Sequence, residues 1–159
     1  MLPTFGVPSD SWSFIYATSA TWTQDTAPNV YAGQYALKGV HTAGTVLTAV
    51  ESKTIIPVVP RQRLRMTVAV KTATAMPGTG NDFFTSWLVC NRDGVPNTLQ
   101  DGATLVTTSN RATGTAYAVE TFDYTVPDGC FVAIITLRWR TTTANTIWYD
   151  DINVTEIVS

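Results

Sequence analysis

The stretch TIWYDDINVTEI, residues 146–157, places two adjacent carboxylates, Asp150 and Asp151, inside an apolar and β-branched run. Neighbouring side chains on a strand point to opposite faces. The pair therefore does not converge on one bond, as the acid and base of a paired-carboxylate hydrolase must. Ile147 and Tyr149 keep a two-residue step, and so do Ile152 and Val154, but the step from Tyr149 to Ile152 is three. If both apolar pairs face a core, the alternation slips at the aspartates, which marks a β-bulge admitting one extra residue. One carboxylate then lies at the sheet rim and accepts backbone N–H groups. The competing register keeps Trp148, Asp150, Ile152 and Val154 on one face, which half-buries Asp150 and demands a partner for it.

Working outward, RLRMTVAVKT at 63–72 alternates Leu64, Met66, Val68 and Val70 with Arg63, Arg65, Thr67, Ala69 and Lys71. That is the pattern of a strand with one wet face. FFTSWLVCN at 83–91 and CFVAIITLRWR at 130–140 carry apolar residues on both parities, so they read as central strands covered on each side for part of their length. Further strands are expected at 34–40, 45–50, 53–59 and 115–126. Between them lie AMPGTGND (75–82), NRDGVPN (91–97), SNRATG (109–114) and VPDG (126–129), clusters that join Gly or Pro to Asp or Asn and so supply turns. No window holds a helical period. The first 33 residues give one strand near Trp12 to Tyr16 and then a Thr-, Gln-, Asp- and Pro-rich passage, read as a long loop or as an arm packing on a neighbouring subunit. About eight to ten strands with this turn spacing indicate one all-β domain, an antiparallel β-sandwich or jelly roll.

Composition agrees. With 159 residues, 45% hydrophobic and 14% charged, the chain suits half-buried pleated surfaces and can bury a sizeable core. Its net charge of −2, with Lys and Arg scattered, lacks the footprint of a nucleic-acid binder. No apolar run approaches the length of a membrane-spanning helix, so membrane insertion is not expected. The opening MLPTFGVPSDSW has neither a basic n-region nor an unbroken apolar core, so it does not read as a signal peptide. With Met1 as the start the protein is made in a cytosol; alternatively the chain is a module cut from a longer protein. Cys90 and Cys130 sit in apolar runs and are expected to be free buried thiols. Two cysteines and the lone His41, expected as a surface imidazole in GVHTAGT, are too few for a zinc site or a Ser-His-acid triad. GTGN at 78–81 does not open into a helix and reads as a flexible turn, and NVT at 153–155 fits the glycosylation pattern but lies inside a strand.

The order of landmarks resembles the jelly-roll carbohydrate-binding modules of families 4, 9 and 22, within the galactose-binding-like group. WSFIY (12–16), AGQYALKGV (32–40), TIIPVVPRQRLRMTVAVKT (54–72), SWLVCNRDG (86–94), VPDG, FVAIITLRWR (131–140) and IWYDDINVTEI (147–157) carry the likeness. The last is the most specific, since the group's closing strand has the form aromatic-aromatic-Asp-Asp-apolar-x-apolar. In that group a calcium ion often lies between the closing-strand Asp and an N-terminal acidic residue. Here only Asp10 and Asp25 precede Glu51, so Asp150 and Asp151 are weak calcium candidates and no metal or other cofactor is expected.

What remains is an aromatic surplus. Most of the five Trp and six Tyr should be core or interface groups. Two or three can form a platform for pyranose rings, with Trp87, Trp139, Arg138 and Arg140 as the glycan-stacking candidates and Asn91 or Gln100 as further hydroxyl partners. No catalytic residues are found. The expected function is a non-enzymatic structural or attachment protein of a tailed-phage virion, as capsid decoration, baseplate or tail-fibre module, localised to the virion and touching surface glycans. It is expected to be a homo-oligomer, with a trimer favoured. The alternative is a carbohydrate-binding module from a secreted polysaccharide-degrading enzyme, which would be extracellular.

Overall fold

The computed structural model describes residues 4–5, 12–15, 20–91 and 104–158, with side chains described for 20–90 and 105–158. These residues form twelve strands: β1 (Thr4–Phe5), β2 (Trp12–Ile15), β3 (Ala20–Asp25), β4 (Ala36–His41), β5 (Val46–Ser52), β6 (Ile56–Pro57), β7 (Arg63–Thr72), β8 (Phe83–Asn91), β9 (Thr104–Thr107), β10 (Ala118–Thr125), β11 (Val132–Thr141) and β12 (Asn145–Glu156). No helix among them is long and apolar enough to cross a membrane. Sheet A runs β10-β7-β12-β4-β3, with β1 also on β12. Sheet B runs β2-β5-β11-β8-β9, with β6 also on β11. All pairings are antiparallel. The fold is an all-β sandwich of the jelly-roll kind.

The alternating segments behave as their pleat requires. β7 buries Leu64, Met66, Val68 and Val70 and exposes Arg63 and Arg65. β11 sends Ala133, Ile135, Leu137 and Trp139 into the core, and Ile134 and Thr136 are buried on its other face as well. The doubly apolar run thus occupies the middle of sheet B, between β5 and β8. Between the sheets Phe84 meets Phe122 edge-on at 5.7 Å and tilts against Tyr149 at 6.2 Å. At these distances such pairs add to the burial of the rings themselves.

Three strands, β1, β3 and β9, are not visible as strands in the sequence. Residues 20–25, read as loop or arm, form β3 on β4. The passage is too polar to look like a strand, yet Trp22 in its middle closes the open side of the sandwich. Its ring stacks on Tyr149 at 6.0 Å, meets Trp139 edge-on at 6.2 Å, and its Nε1–H donates to Thr48 Oγ1 of the other sheet at 3.1 Å. Gly39, opposite Trp22 in register, makes room: a Cβ there would lie 2.7 Å from the indole. β9 extends sheet B from four residues, Thr104–Thr107. Conversely, the strand expected at 53–59 shrinks to Ile56–Pro57, because prolines lack the N–H a ladder needs. Of the expected turns, 92–97 lies outside the described residues. In the 75–82 turn Gly78 has φ 77° and a Cβ there would meet Ala112 N at 2.3 Å, so the turn is close-packed against 111–112 rather than loose.

His41 is not on the surface. It is 2% exposed at the end of β4, where Nε2 lies 2.7 Å from the Gly44 carbonyl of the following turn. Cys90 and Cys130 are free and buried, and burial together with the neighbouring Cys130 sulfur pushes the Cys90 thiol far up.

Candidate functional site

Each sheet has an outer face, and polar residues gather on both. On sheet A the closing strand contains the expected bulge. Ile147, Tyr149, Ile152 and Val154 all face the core, and the register against β7 shifts between Asp150 and Asn153. Asp151 takes the extra position, exposed, with φ 45°. Asp150 turns to the outer side and is nonetheless buried. Its Oδ2 accepts the backbone N–H groups of Tyr31 (2.7 Å) and Ala32 (3.2 Å), and its Oδ1 that of Asp151 (2.7 Å). Both oxygens are thus turned to donors. A calcium ion needs six to eight oxygens, and among the described residues no three His, Cys, Asp or Glu side chains group to hold a metal. Asp10, the other N-terminal acid considered for a calcium site, lies outside the described residues.

Beside Asp150 the same face holds Trp148, whose Nε1–H donates to Asp25 Oδ2 at 2.8 Å. Asp25 also receives Lys38 (3.3 Å) and Asn29 Nδ2 (3.2 Å). Partial burial pushes the Asp25 carboxyl up, but the bonds from Trp148, the Thr26 backbone and Lys38 outweigh it and hold the group below the usual carboxylate range. Lys71 Nζ lies over the rings of Tyr117 (4.7 Å) and Trp148 (4.8 Å) and donates to Asn29 Oδ1 at 3.2 Å. Tyr117 OH donates to the Asn29 carbonyl at 2.8 Å. The bonds from Trp148 and Lys38 to Asp25 and from Lys71 and Tyr117 to Asn29 tie residues 25–32 to the sheet. The cluster is a clamp.

The outer face of sheet B is different. Thr136 on β11 stands opposite Glu51 on one side and Trp87 on the other; two residues on, Arg138 stands between Ala49 and Thr85, and Arg140 between Leu47 and Phe83. Because Ala49 and Thr85 are short, the Arg138 guanidinium can lie across the strands. Its Cζ is 3.6 Å from the centre of the Trp87 ring, a stacked cation–π pair. Trp87, Arg138 and Arg140 are all half-buried. Glu51 is 7% exposed, its Oε2 has no hydrogen-bond partner among the described residues, and burial pushes its carboxyl above the usual range. From the strand spacing, the Glu51 and Trp87 backbones stand about 10 Å apart across β11.

Three of the four stacking candidates therefore share one surface. Trp139 does not. It is 0% exposed and points inward, with Nε1 3.3 Å from Met76 Sδ. Arg138, Trp139 and Arg140 are consecutive, and the pleat places the middle residue opposite its neighbours. Gln100 and the Asn91 side chain lie outside the described residues. Glu51 and Thr136 were not singled out from sequence; an acid ending an apolar run, VLTAVES, was the available signal for Glu51.

Comparisons with known proteins agree with this architecture. No protein-family model matches the chain, and no curated protein matches it. Solved structures do. The CBM22-1 xylan-binding domain of Paenibacillus barcinonensis Xyn10C is similar with TM-score 0.64 and 11% identity, over 100% of this chain and 94% of that one. The CBM22-1 and GH10 modules of Clostridium thermocellum endo-1,4-beta-D-xylanase 10B match with TM-score 0.66 and 13% identity, over 99% of this chain and 28% of that one. The enzymatically active domain of Bacteriophage CBA120 tailspike protein 4 matches with TM-score 0.66 and 12% identity, over 93% of this chain and 20% of that one. The chain thus spans about a fifth to a quarter of these two longer proteins. The fold is that of a carbohydrate-binding-module-like jelly roll.

Proposed function

We propose that the protein is a non-enzymatic structural or attachment module of a tailed-phage virion, serving as capsid decoration, baseplate or tail-fibre part, and that it contacts surface glycans through the outer face of sheet B. The observation that carries the glycan reading is the stacked Trp87–Arg138 pair on that face, beside Arg140 and Glu51. Arg138 covers one side of the indole, so a pyranose ring packs its C–H face against the other, while guanidinium N–H groups bond ring substituents. The tailspike likeness supports the virion setting. In this reading the protein is made in a host cytoplasm, ends in the virion, and assembles as a trimer with other virion proteins around it.

A second reading, a carbohydrate-binding module from a secreted polysaccharide-degrading enzyme, is favoured by the near-complete mutual coverage with a xylan-binding domain. Light scattering together with a glycan array separates the two. A trimer supports the virion reading; a monomer that binds a soluble polysaccharide at millimolar or lower concentration supports the second. An array without hits, with Trp87→Ala indistinguishable from the parent, removes glycan contact altogether.

A further inference from the structure

The described arginines differ in their partners. Arg61, Arg65 and Arg111 each stand against a carboxylate of the chain, Asp128, Asp123 and Glu120. Arg140 belongs to none of the described ion pairs, and its buried Nε has no hydrogen-bond partner among the described residues. A buried N–H without an acceptor costs free energy until something supplies one. Leu47 and Phe83 flank Arg140 in register and offer no oxygen from their side chains. Arg138 projects from the same face of the same strand, about 7 Å along it, and holds its guanidinium flat on Trp87. The face thus has two positive groups beside an aromatic ring. Its described acid, Glu51, lies on the rung of Thr136, four residues of register from Leu47, the partner of Arg140. Burial pushes its carboxyl above the usual range.

We propose that the ligand of this face is an acidic glycan, a polymer of uronic-acid type, with its carboxylate held by Arg140 and its ring seated against Trp87 and Arg138. The proposal rests on the glycan-contact reading above and narrows it. Guanidinium is suited to the task because its planar fork matches a carboxylate with two parallel hydrogen bonds, which a neutral sugar hydroxyl cannot reproduce.

The test measures binding of the full chain to polygalacturonate, alginate and hyaluronan, each beside its carboxyl-reduced counterpart, by affinity electrophoresis and calorimetry at low and raised salt. At least one acidic polymer should bind at least about tenfold more tightly than its reduced form, and the preference should shrink with salt. Arg140→Gln should abolish the preference while leaving the melting temperature within a few degrees of the parent. Arg140→Lys, which keeps the charge but not the fork, should retain only part of it, so that a folding defect in one variant does not decide the result. Equal binding of acidic and reduced polymers, unaffected by Arg140→Gln, overturns the acidic-ligand inference and leaves glycan contact standing. No binding to either form, with no hit on the glycan array, overturns the glycan reading and this inference with it.

Discussion

The two outer faces of the sandwich carry similar side chains and use them in opposite ways. On sheet A, Trp148, Lys38, Lys71, Tyr117, Asp25 and Asp150 bond to one another, to the Asn29 side chain and to backbone groups of residues 26–32 and 151. On sheet B, Trp87 and Arg138 stack on each other, Arg140 keeps a buried N–H and Glu51 a buried oxygen without a hydrogen-bond partner among the described residues. Aromatic and charged content alone therefore does not locate a binding surface. The distinguishing quantity is whether hydrogen-bonding capacity remains on the face once the chain has folded, because buried capacity left unmet costs stability.

The comparison breaks most sharply at Asp150. Asp150→Ala strips three backbone N–H groups of their acceptor and should cost about 3 kcal/mol, read as a large drop in melting temperature, with glycan affinity of the folded protein unchanged. A change in binding with unaltered stability would make the sheet A face the functional one. Trp87→Ala should do the reverse: glycan binding about tenfold or more weaker with stability nearly kept, because the ring is only half-buried.

Asp25→Asn should cost about 1 kcal/mol at neutral pH. The folded carboxyl titrates below its unfolded value, so its contribution is present above the unfolded pKa and is lost as pH falls through the depressed one. Parent and variant should therefore converge in urea titrations run in increasingly acid buffer. Glu51 has the opposite sign. Its raised folded pKa means that the folded state is favoured with Glu51 neutral, and stability is lost as pH rises through that raised value. Glu51→Gln should be slightly more stable than the parent at neutral pH, and the gap should close in acid. A destabilised Glu51→Gln at neutral pH would mean that the carboxylate is needed charged in the fold. The smallest effect is expected at Asp151→Gly, within about 0.5 kcal/mol: glycine relieves the φ of 45° and forfeits an exposed bond from Asn153 Nδ2 at 2.8 Å.

Much of this was legible in the residues themselves. The strand bounds at 63–72 and 83–91 follow from alternation and turn residues, and the three-residue step in IWYDDINV names the bulge and the acceptor role of one aspartate. The acceptor proved to be Asp150, whose donors come from Tyr31 and Ala32, more than a hundred residues away. The misreadings have separate causes. β3 was missed since its sequence is polar and only the distant Gly39, Thr48 and Tyr149 make a strand of it. His41 was placed outside because a turn-like context says nothing of a carbonyl folding back over the ring. Trp139 was grouped with Arg138 and Arg140 although adjacency on a strand forbids it.

The sequence by itself determined the class of fold, the slip in alternation at Asp150 and Asp151, and the candidacy of Trp87, Arg138 and Arg140, because each is written in periods and spacings of a few residues. Only the tertiary structure decided which parity of β11 faces outward, which aromatic cluster is a clamp and which is a platform, and which buried polar atoms are left unmet. Those are properties of pairs brought together across sheets, and strand pairing over long sequence separations leaves no local pattern from which to read them.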